Sequence, residues 1–136
     1  MESLDLVIIG AEWGTGKRSG WLTSFTLACY DTETDSFLEI GKVGTGMKEK
    51  VELGVSFEQL TNLLKPTITN EKGRNVWVKP MVVVEVNFEE IQKSPTYSSG
   101  YALRFPRVIR IREDRSPDQS SDLDLVEDLY STQRGR

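Results

Sequence analysis

The spacing of apolar and polar residues along the chain changes period three times. From Leu4 to Ala11, apolar and β-branched residues occupy both parities, which predicts a strand covered on both faces. Trp21–Tyr30 alternates, with Trp21, Phe25, Leu27 and Cys29 on one face, and Phe37–Val43 is predicted as a shorter third strand. The period then becomes helical. Ser56-Phe57-Glu58-Gln59 is a capping box, in which Ser56 accepts from the Gln59 amide and Gln59 reaches back. Phe57, Leu60, Leu63 and Leu64 follow on one helical face, and Pro66 ends the run. Alternation returns at Met81–Phe88, with Val82, Val84, Val86 and Phe88 on one face, and Ala102–Arg112 is the fifth predicted strand. The polar stretch Ser116–Asp122 contains Pro117 and predicts an exposed connection. It leads to a final helix over 122–131, with Leu125, Val126, Leu129 and Tyr130 on one side, and residues 132–136 are expected to fray.

Three strands, a helix and two strands follow the order of the OB fold, a small β-barrel with a helix between its third and fourth strands. The expected class is mainly β: a five-stranded barrel with a C-terminal helix. Residues 1–115 form the barrel, and 116–136 are the polar link and helix of the same domain. A length of 136 residues suits one domain, and 38% hydrophobic with 28% charged residues is a globular composition. No apolar run approaches the roughly 20 residues that a membrane span needs. The start Met1-Glu2-Ser3-Leu4-Asp5 lacks the basic and apolar stretches of a signal peptide, so an intracellular place is expected and no membrane partner. One cysteine and no histidine exclude an intrachain disulfide, zinc sites built from Cys and His, and catalysis by a histidine of this chain.

The net charge of −4 argues against a nucleic-acid partner until its distribution is considered. Residues 101–115 hold five arginines against Glu113 and Asp114, whereas residues 116–136 hold five acids against two arginines. In the strand Val108–Arg112, alternation puts Ile109 and Ile111 on one face and Arg110 and Arg112 on the other. That face is either solvated or a phosphate surface; its near-uniform sign favours phosphate, which guanidinium forks suit. Pro106 cannot donate to a ladder, so a bulge or edge is expected there, and alternation leaves the orientation of Phe105 open. Two glycine-rich turns add cations. Gly14-Thr15-Gly16-Lys17-Arg18-Ser19-Gly20 is not a P-loop, because Ala11 and Arg18 stand where that spacing needs Gly and Ser or Thr. It is either a plain connection or a loop carrying Lys17 and Arg18 to a nucleic-acid backbone. Gly41-Lys42-Val43-Gly44-Thr45-Gly46 is likewise either a turn or a set of amides with Lys42 for phosphate.

Taken together, these segments resemble a known family. Ser3-Leu4-Asp5-Leu6-Val7-Ile8-Ile9-Gly10-Ala11, Gly16-Lys17-Arg18-Ser19-Gly20 and Lys42-Val43-Gly44-Thr45-Gly46 resemble the C-terminal OB domain of ATP-dependent DNA ligases of archaeal and eukaryotic type. So do Ser94-Pro95-Thr96-Tyr97 and Leu103-Arg104-Phe105-Pro106-Arg107-Val108-Ile109-Arg110. Arg112-Glu113-Asp114-Arg115 is similar to the family's last nucleotidyltransferase motif, R-x-D-K, with Arg115 in place of its lysine. The charge is kept, but a role that needs a neutral amine is not. The family's K-x-D-G motif, which carries the nucleophilic lysine, does not occur in the chain. The chain is therefore expected to be an excised domain or a stand-alone gene product, inactive alone.

The resemblance implies a function in DNA replication, repair and recombination. In the family, a lysine on a separate adenylation domain takes AMP from ATP while the OB domain closes over the nucleotide. The OB domain then swings round to hold nicked duplex DNA while the nick is sealed. By position, Arg112, Asp114 and Arg115 would be the catalytic motif, with Arg112 and Arg115 meeting the departing pyrophosphate. Arg104 and Phe105 would lie at the nick, the ring against the minor groove. Lys17, Arg18, Lys42, Thr45 and Arg107 would contact DNA. ATP and Mg2+ would be held mainly by the adenylation domain, with no metal site in this chain. The implied partners are nicked double-stranded DNA and the adenylation domain, with the chain a monomer. Two other readings remain. One is an independent OB-fold protein coating single strands, with Trp13, Trp21, Tyr30 and Trp77 as stacking platforms or core. The other is an interaction domain that uses its acidic tail helix. The Arg112–Arg115 motif distinguishes the ligase reading, because a coating protein has no use for it.

Overall fold

The computed structural model describes residues 2–44 and 55–134. A long central strand, β1 (Glu2–Trp13), organises the sheet. Its first half pairs antiparallel with β6 (Val83–Phe88), and its second half with both β2 (Leu22–Asp31) and β5 (Asn75–Val78). β2 carries β3 (Ser36–Val43) on its other edge, and β6 carries β9 (Arg107–Ile111). A second hairpin joins β7 (Glu90–Lys93) to β8 (Tyr101–Arg104). Its neighbourhood meets β3: the Ser99 amide donates to the Glu39 carbonyl at 3.1 Å, and the Glu39 amide to Ser98 Oγ at 2.8 Å. The sheet thus curls around one core of Leu4, Leu6, Ile8, Phe25, Leu27, Val84 and Val86. Val7 on the opposite face of β1 is also fully buried, as its unbroken apolar run predicts. Burial pushes the Cys29 thiol up to about 12, so this side chain is a packed apolar group and not a nucleophile.

α1 (Phe57–Leu64) plugs the core with Phe57, Leu60 and Leu64. Ser56 Oγ accepts from the Gln59 amide at 3.0 Å, so the Ser56 half of the predicted capping box forms; the return bond from the Gln59 side chain is not among the described hydrogen bonds. Thr61 Oγ1 accepts from the Leu22 amide at 2.8 Å and donates to the Phe57 carbonyl at 2.6 Å, tying helix to sheet without an orphaned hydroxyl. α2 (Leu123–Arg134) adds Val126 to the core, and Gln133 exchanges hydrogen bonds with both main-chain groups of Ile91.

The mainly β OB-type architecture agrees with expectation, and several details differ. The polar stretch 68–78 forms an unexpected hairpin of β4 (Ile68–Lys72) and β5, turning at Gly73 with φ +61°. Its exposed face carries polar residues, and only Val76 and Val78 are buried. The expected strand Ala102–Arg112 is two strands, β8 and β9, belonging to different ladders. Ile109 does not share a face with Ile111: the β6–β9 register skips Ile109, leaving it 44% exposed while Val108 and Ile111 pack on the core. The register against β1 slips near Trp13, so Leu22, not Trp21, joins the buried face of Phe25, Leu27 and Cys29. In α2, Leu123 replaces Leu125 on the packed side, and the helix continues to Arg134 rather than fraying from 132. The link 116–122 is exposed at Ser116, Asp118 and Gln119, as expected, but Ser120 is buried and the Ser121 amide donates to the Asp5 carbonyl at 2.8 Å.

Candidate functional site

The turn after β9 brings Arg112, Asp114 and Arg115 together. The Arg112 amide donates to the Val83 carbonyl at 2.8 Å, continuing the ladder one residue past the strand. On this face the register sets Asp5 of β1 directly opposite Glu85 of β6, and Glu85 opposite Arg110 of β9. Like charges across a ladder repel, so cations from β9 are needed there. Arg110 Nε lies 2.6 Å from Glu85 Oε1, and Arg112 Nη1 lies 3.3 Å from Asp5 and 4.0 Å from Glu85. Burial works to raise the Glu85 carboxyl, but hydrogen bonds from Arg110 and Ser3 and the charges of Arg110 and Arg112 outweigh it and hold it below its ordinary value.

Asp114 takes Arg112 side-on: Nε and Nη2 each donate to one of its oxygens at 3.1 Å. That hydrogen bonding holds the Asp114 carboxyl down at about 2 and raises the Arg112 guanidinium above its ordinary value. Arg115 is held more lightly, with Nε 3.6 Å from Asp5 and Nη1 donating to the Gln119 carbonyl at 3.4 Å. The side chain of Arg112 is 16% exposed and that of Arg115 is 42% exposed. The two border a cleft of about 400 Å³ lined also by Asp5, Glu85, Gln119 and Ser121. Such a site offers oriented, charged donors to an anion, with Arg115 the more accessible.

At the other end of β9 stands Phe105. It is 61% exposed and has φ +52°, a conformation that a bulky residue adopts only under constraint. Of its two possible orientations, the structure gives the outward one. The Arg104 guanidinium sits 5.2 Å from the ring centroid and 2.8 Å from Glu90, and the Glu89 amide donates to the Arg104 carbonyl at 3.0 Å. Pro106, lacking a donor, follows without breaking a ladder bond. Arg107 is exposed and makes no ion pair with a described residue.

The remaining expected contacts lie elsewhere. Lys17 and Arg18 occupy a 3-10 turn, Gly16–Arg18, between β1 and β2. Gly14 is required there, since a Cβ would stand 2.5 Å from the Arg18 carbonyl oxygen. Lys17 is exposed, and Arg18 lies over the Phe57 ring at 4.9 Å from its centroid. Lys42 pairs with Glu12 at 3.8 Å, and Arg74 shares that carboxylate at 3.6 Å. Thr45 lies outside the described residues. Of the aromatic candidates, Trp13 and Trp21 pack on the core, Tyr30 packs against Phe37 at 5.3 Å, and Trp77 is 44% exposed. The expected all-arginine face is corrected in one respect: its charges are matched by Glu90, Glu85 and Asp5 from three other strands. Sequence reading missed these acids because their partners are 14, 25 and 107 residues away. The one available signal was an isolated acid, Asp5, inside the apolar run of β1. Among the described residues no group of three or more His, Cys, Asp or Glu side chains is placed to hold a metal ion, and no helix is long and apolar enough to cross a membrane.

Residues 18–115 match the family model described as the ATP dependent DNA ligase C terminal region. A DNA ligase of Nanoarchaeum equitans is 58% identical over 99% of this chain and 24% of its own length. One of Methanococcoides burtonii is 50% identical over 99% of this chain and 23% of its own length. The chain thus spans about a quarter of the length of the curated relatives it matches. The ligase domain from M. tuberculosis LigD superposes with a TM-score of 0.68 at 24% identity, covering 88% of this chain and 38% of that one. A mycobacterial DNA ligase D complexed with ATP and MES gives 0.65 at 22% identity, covering 89% and 38%. These two likenesses carry the fold, which is that of ligase OB domains, whereas the family model and the archaeal relatives carry membership. The chain belongs to the family of ATP-dependent DNA ligase C-terminal regions.

Proposed function

We propose that this chain is the OB domain of a nick-sealing, ATP-dependent DNA ligase and works in two steps with two ends of one strand. In the first step it closes over an adenylation domain. Arg112 and Arg115 then present positive charge to the pyrophosphate leaving ATP, as AMP passes to a lysine of that domain. Asp114 sets the plane of the Arg112 guanidinium by its bidentate grip. In the second step the domain turns its other surface to nicked duplex DNA. Phe105 projects towards the minor groove, while Arg104, Arg107, Lys17, Arg18, Lys42 and Thr45 face backbone phosphates. ATP and Mg2+ belong to the adenylation domain, the metal supplying charge neutralisation at the phosphates. Its action alongside an adenylation domain and nicked DNA, as a monomer inside the cell, belongs to the same reading.

The observation that carries it is that Arg112 and Arg115 line one cleft, within the residues that match the ligase C-terminal family and at positions that resemble its final motif. The test uses an intact ligase in which this chain is joined to an adenylation domain. Arg112→Ala and Arg115→Ala are expected to slow enzyme adenylation on the order of 100-fold or more, the usual loss for one preorganised transition-state donor. Sealing of a nick already carrying AMP on its 5′ end should suffer far less. Normal adenylation by both variants would overturn the assignment. The chain alone should form no covalent AMP adduct with labelled ATP, since it contains no Lys-x-Asp-Gly.

A further inference from the structure

We infer that Asp5 is a positioning residue for the phosphate-binding arginines: its carboxylate fixes Arg112 and Arg115 together at the mouth of the cleft, so that loss of its charge slows enzyme adenylation and spares nick sealing. The inference rests on the ligase reading above. Among the described carboxylates, Asp5 is paired with both arginines, at 3.3 Å from Arg112 Nη1 and 3.6 Å from Arg115 Nε. Asp5 is also anchored on every side. It lies within β1 opposite Glu85, its amide donates to Ser121 Oγ at 2.9 Å, and its carbonyl accepts from the Ser121 amide at 2.8 Å. Its side chain is 16% exposed, whereas that of Asp114 is 68% exposed on the same turn as the arginines. Asp114 therefore moves with the group it holds, and Asp5 ties that group to the sheet.

The charge arithmetic supports a positioning role. Two guanidinium groups aimed at one anion repel each other, and a carboxylate paired with both offsets that repulsion. Of its five N–H groups, Arg112 turns Nε and one of Nη2 to Asp114 and one of Nη1 to the two oxygens of Asp5, which leaves one Nη1 and one Nη2 hydrogen. Without the Asp5 charge, Arg115 loses its ion pair with the sheet and keeps, among the described hydrogen bonds of its side chain, the Gln119 carbonyl at 3.4 Å. Small misplacements of such donors are expensive in rate, because preorganisation is what they contribute.

The experiment compares Asp5→Asn and Asp5→Glu in the intact ligase, measuring kcat and KM for adenylation, sealing of a pre-adenylated nick, and melting temperature. Asp5→Asn is expected to lower the kcat of adenylation about 10-fold or more with little change in KM for ATP, as misplacement of a transition-state contact does. Asp5→Glu, which keeps the charge, should recover part of the loss. Combined with Arg112→Ala and Arg115→Ala, Asp5→Asn should add little, because no arginine remains to be placed. Equal loss in both steps, or a full additional loss in the triple variant, would make Asp5 merely structural and overturn the inference. Should Asp5→Asn melt early, Asp5→Glu decides alone: slowed adenylation with intact sealing supports the inference, and parallel loss overturns it. If the arginine variants slow adenylation and Asp5→Asn does not, only this inference fails. If the arginine variants adenylate normally, the ligase reading fails with it.

Discussion

Replacing Phe105 separates a strained, outward ring from a core ring by the sign and size of a stability change. Phe105 is 61% exposed at φ +52°. A buried phenylalanine cut to alanine costs about 3–5 kcal/mol through lost burial and the cavity left behind. None of that applies to a ring standing in solvent. What applies is the backbone: a left-handed conformation costs a residue with a Cβ about 1–2 kcal/mol. Alanine retains that cost and glycine escapes it, at an entropic loss of roughly 0.5–1 kcal/mol. The expected order is therefore unusual for a site between two strands. Phe105→Ala should melt close to the parent, and Phe105→Gly should melt at or slightly above Phe105→Ala. For a chain of 136 residues, a difference of 1 kcal/mol corresponds to about 3–5 °C in Tm. Circular dichroism of the three chains measures this directly. In an intact ligase, both variants should slow sealing of a pre-adenylated nick and leave adenylation unchanged, because a wedge acts on the duplex and not on the nucleotide. A fall of more than about 10 °C for Phe105→Ala, far outside what exposed strain allows, would refute the reasoning. So would a glycine variant clearly less stable than the alanine one.

Two further outcomes are expected. Hydrogen bonds from Arg112 hold the Asp114 carboxyl at about 2 instead of 3.8; a depressed folded value means that the contact is in force above 3.8 and is lost as pH falls through about 2. The carboxyl carbon of Asp114 should titrate near the lower value by NMR and move back towards the higher one in Arg112→Ala, and an unmoved midpoint would contradict the pairing. Binding of the chain to nicked duplex should be weak and fall with salt, and Lys17→Ala should reduce the slope of log affinity against log salt by about 1; tight, salt-insensitive binding to single strands would favour a coating protein.

Much of the fold was legible because local signals agreed with tertiary ones. The capping box at Ser56 marks a helix that forms where expected, since Phe57, Leu60 and Leu64 have a core to enter. The alternation in Met81–Phe88 survives because β6 is paired on both edges and buried on one face. Periodicity failed where the chain inserts a residue. One bulge at Ile109 reverses the parity of half of β9, and no local property of Val108-Ile109-Arg110 announces it. The hairpin of β4 and β5 was invisible for a different reason: Thr69-Asn70-Glu71-Lys72-Gly73-Arg74-Asn75 is polar throughout, and its pairing comes from the edge of β1 rather than from its own pattern. At the site, the arginines and Asp114 were legible, and Asp5 and Glu85 were not. Asp5 and Arg112 are brought within 3.3 Å by β6 standing between their strands, which only a sheet order can supply.

The break at Phe105–Pro106 bears on the two-step role proposed above. β8 pairs with β7, and β9 pairs with β6, so the two halves of the expected fifth strand are held by separate ladders. Phe105 leads into β9 at one end and Arg112 leaves it at the other, roughly 20 Å away at strand rise. A disturbance of the ring is absorbed by the β7–β8 hairpin, and a disturbance of Arg112 by Asp5, Glu85 and Asp114, with no shared partner. Sites without shared partners act additively. That independence would let one short strand carry the two chemically different ends proposed for it. It also fits an acidic chain to the phosphate-facing role proposed for it. Arg104, Arg110 and Arg112 are matched by acids within the fold, whereas Lys17 and Arg107 stand exposed without an ion pair among the described residues. In the proposed function, long-range attraction to DNA is accordingly expected to be small, and engagement of the duplex would rest on fit: a projecting ring and a few placed cations.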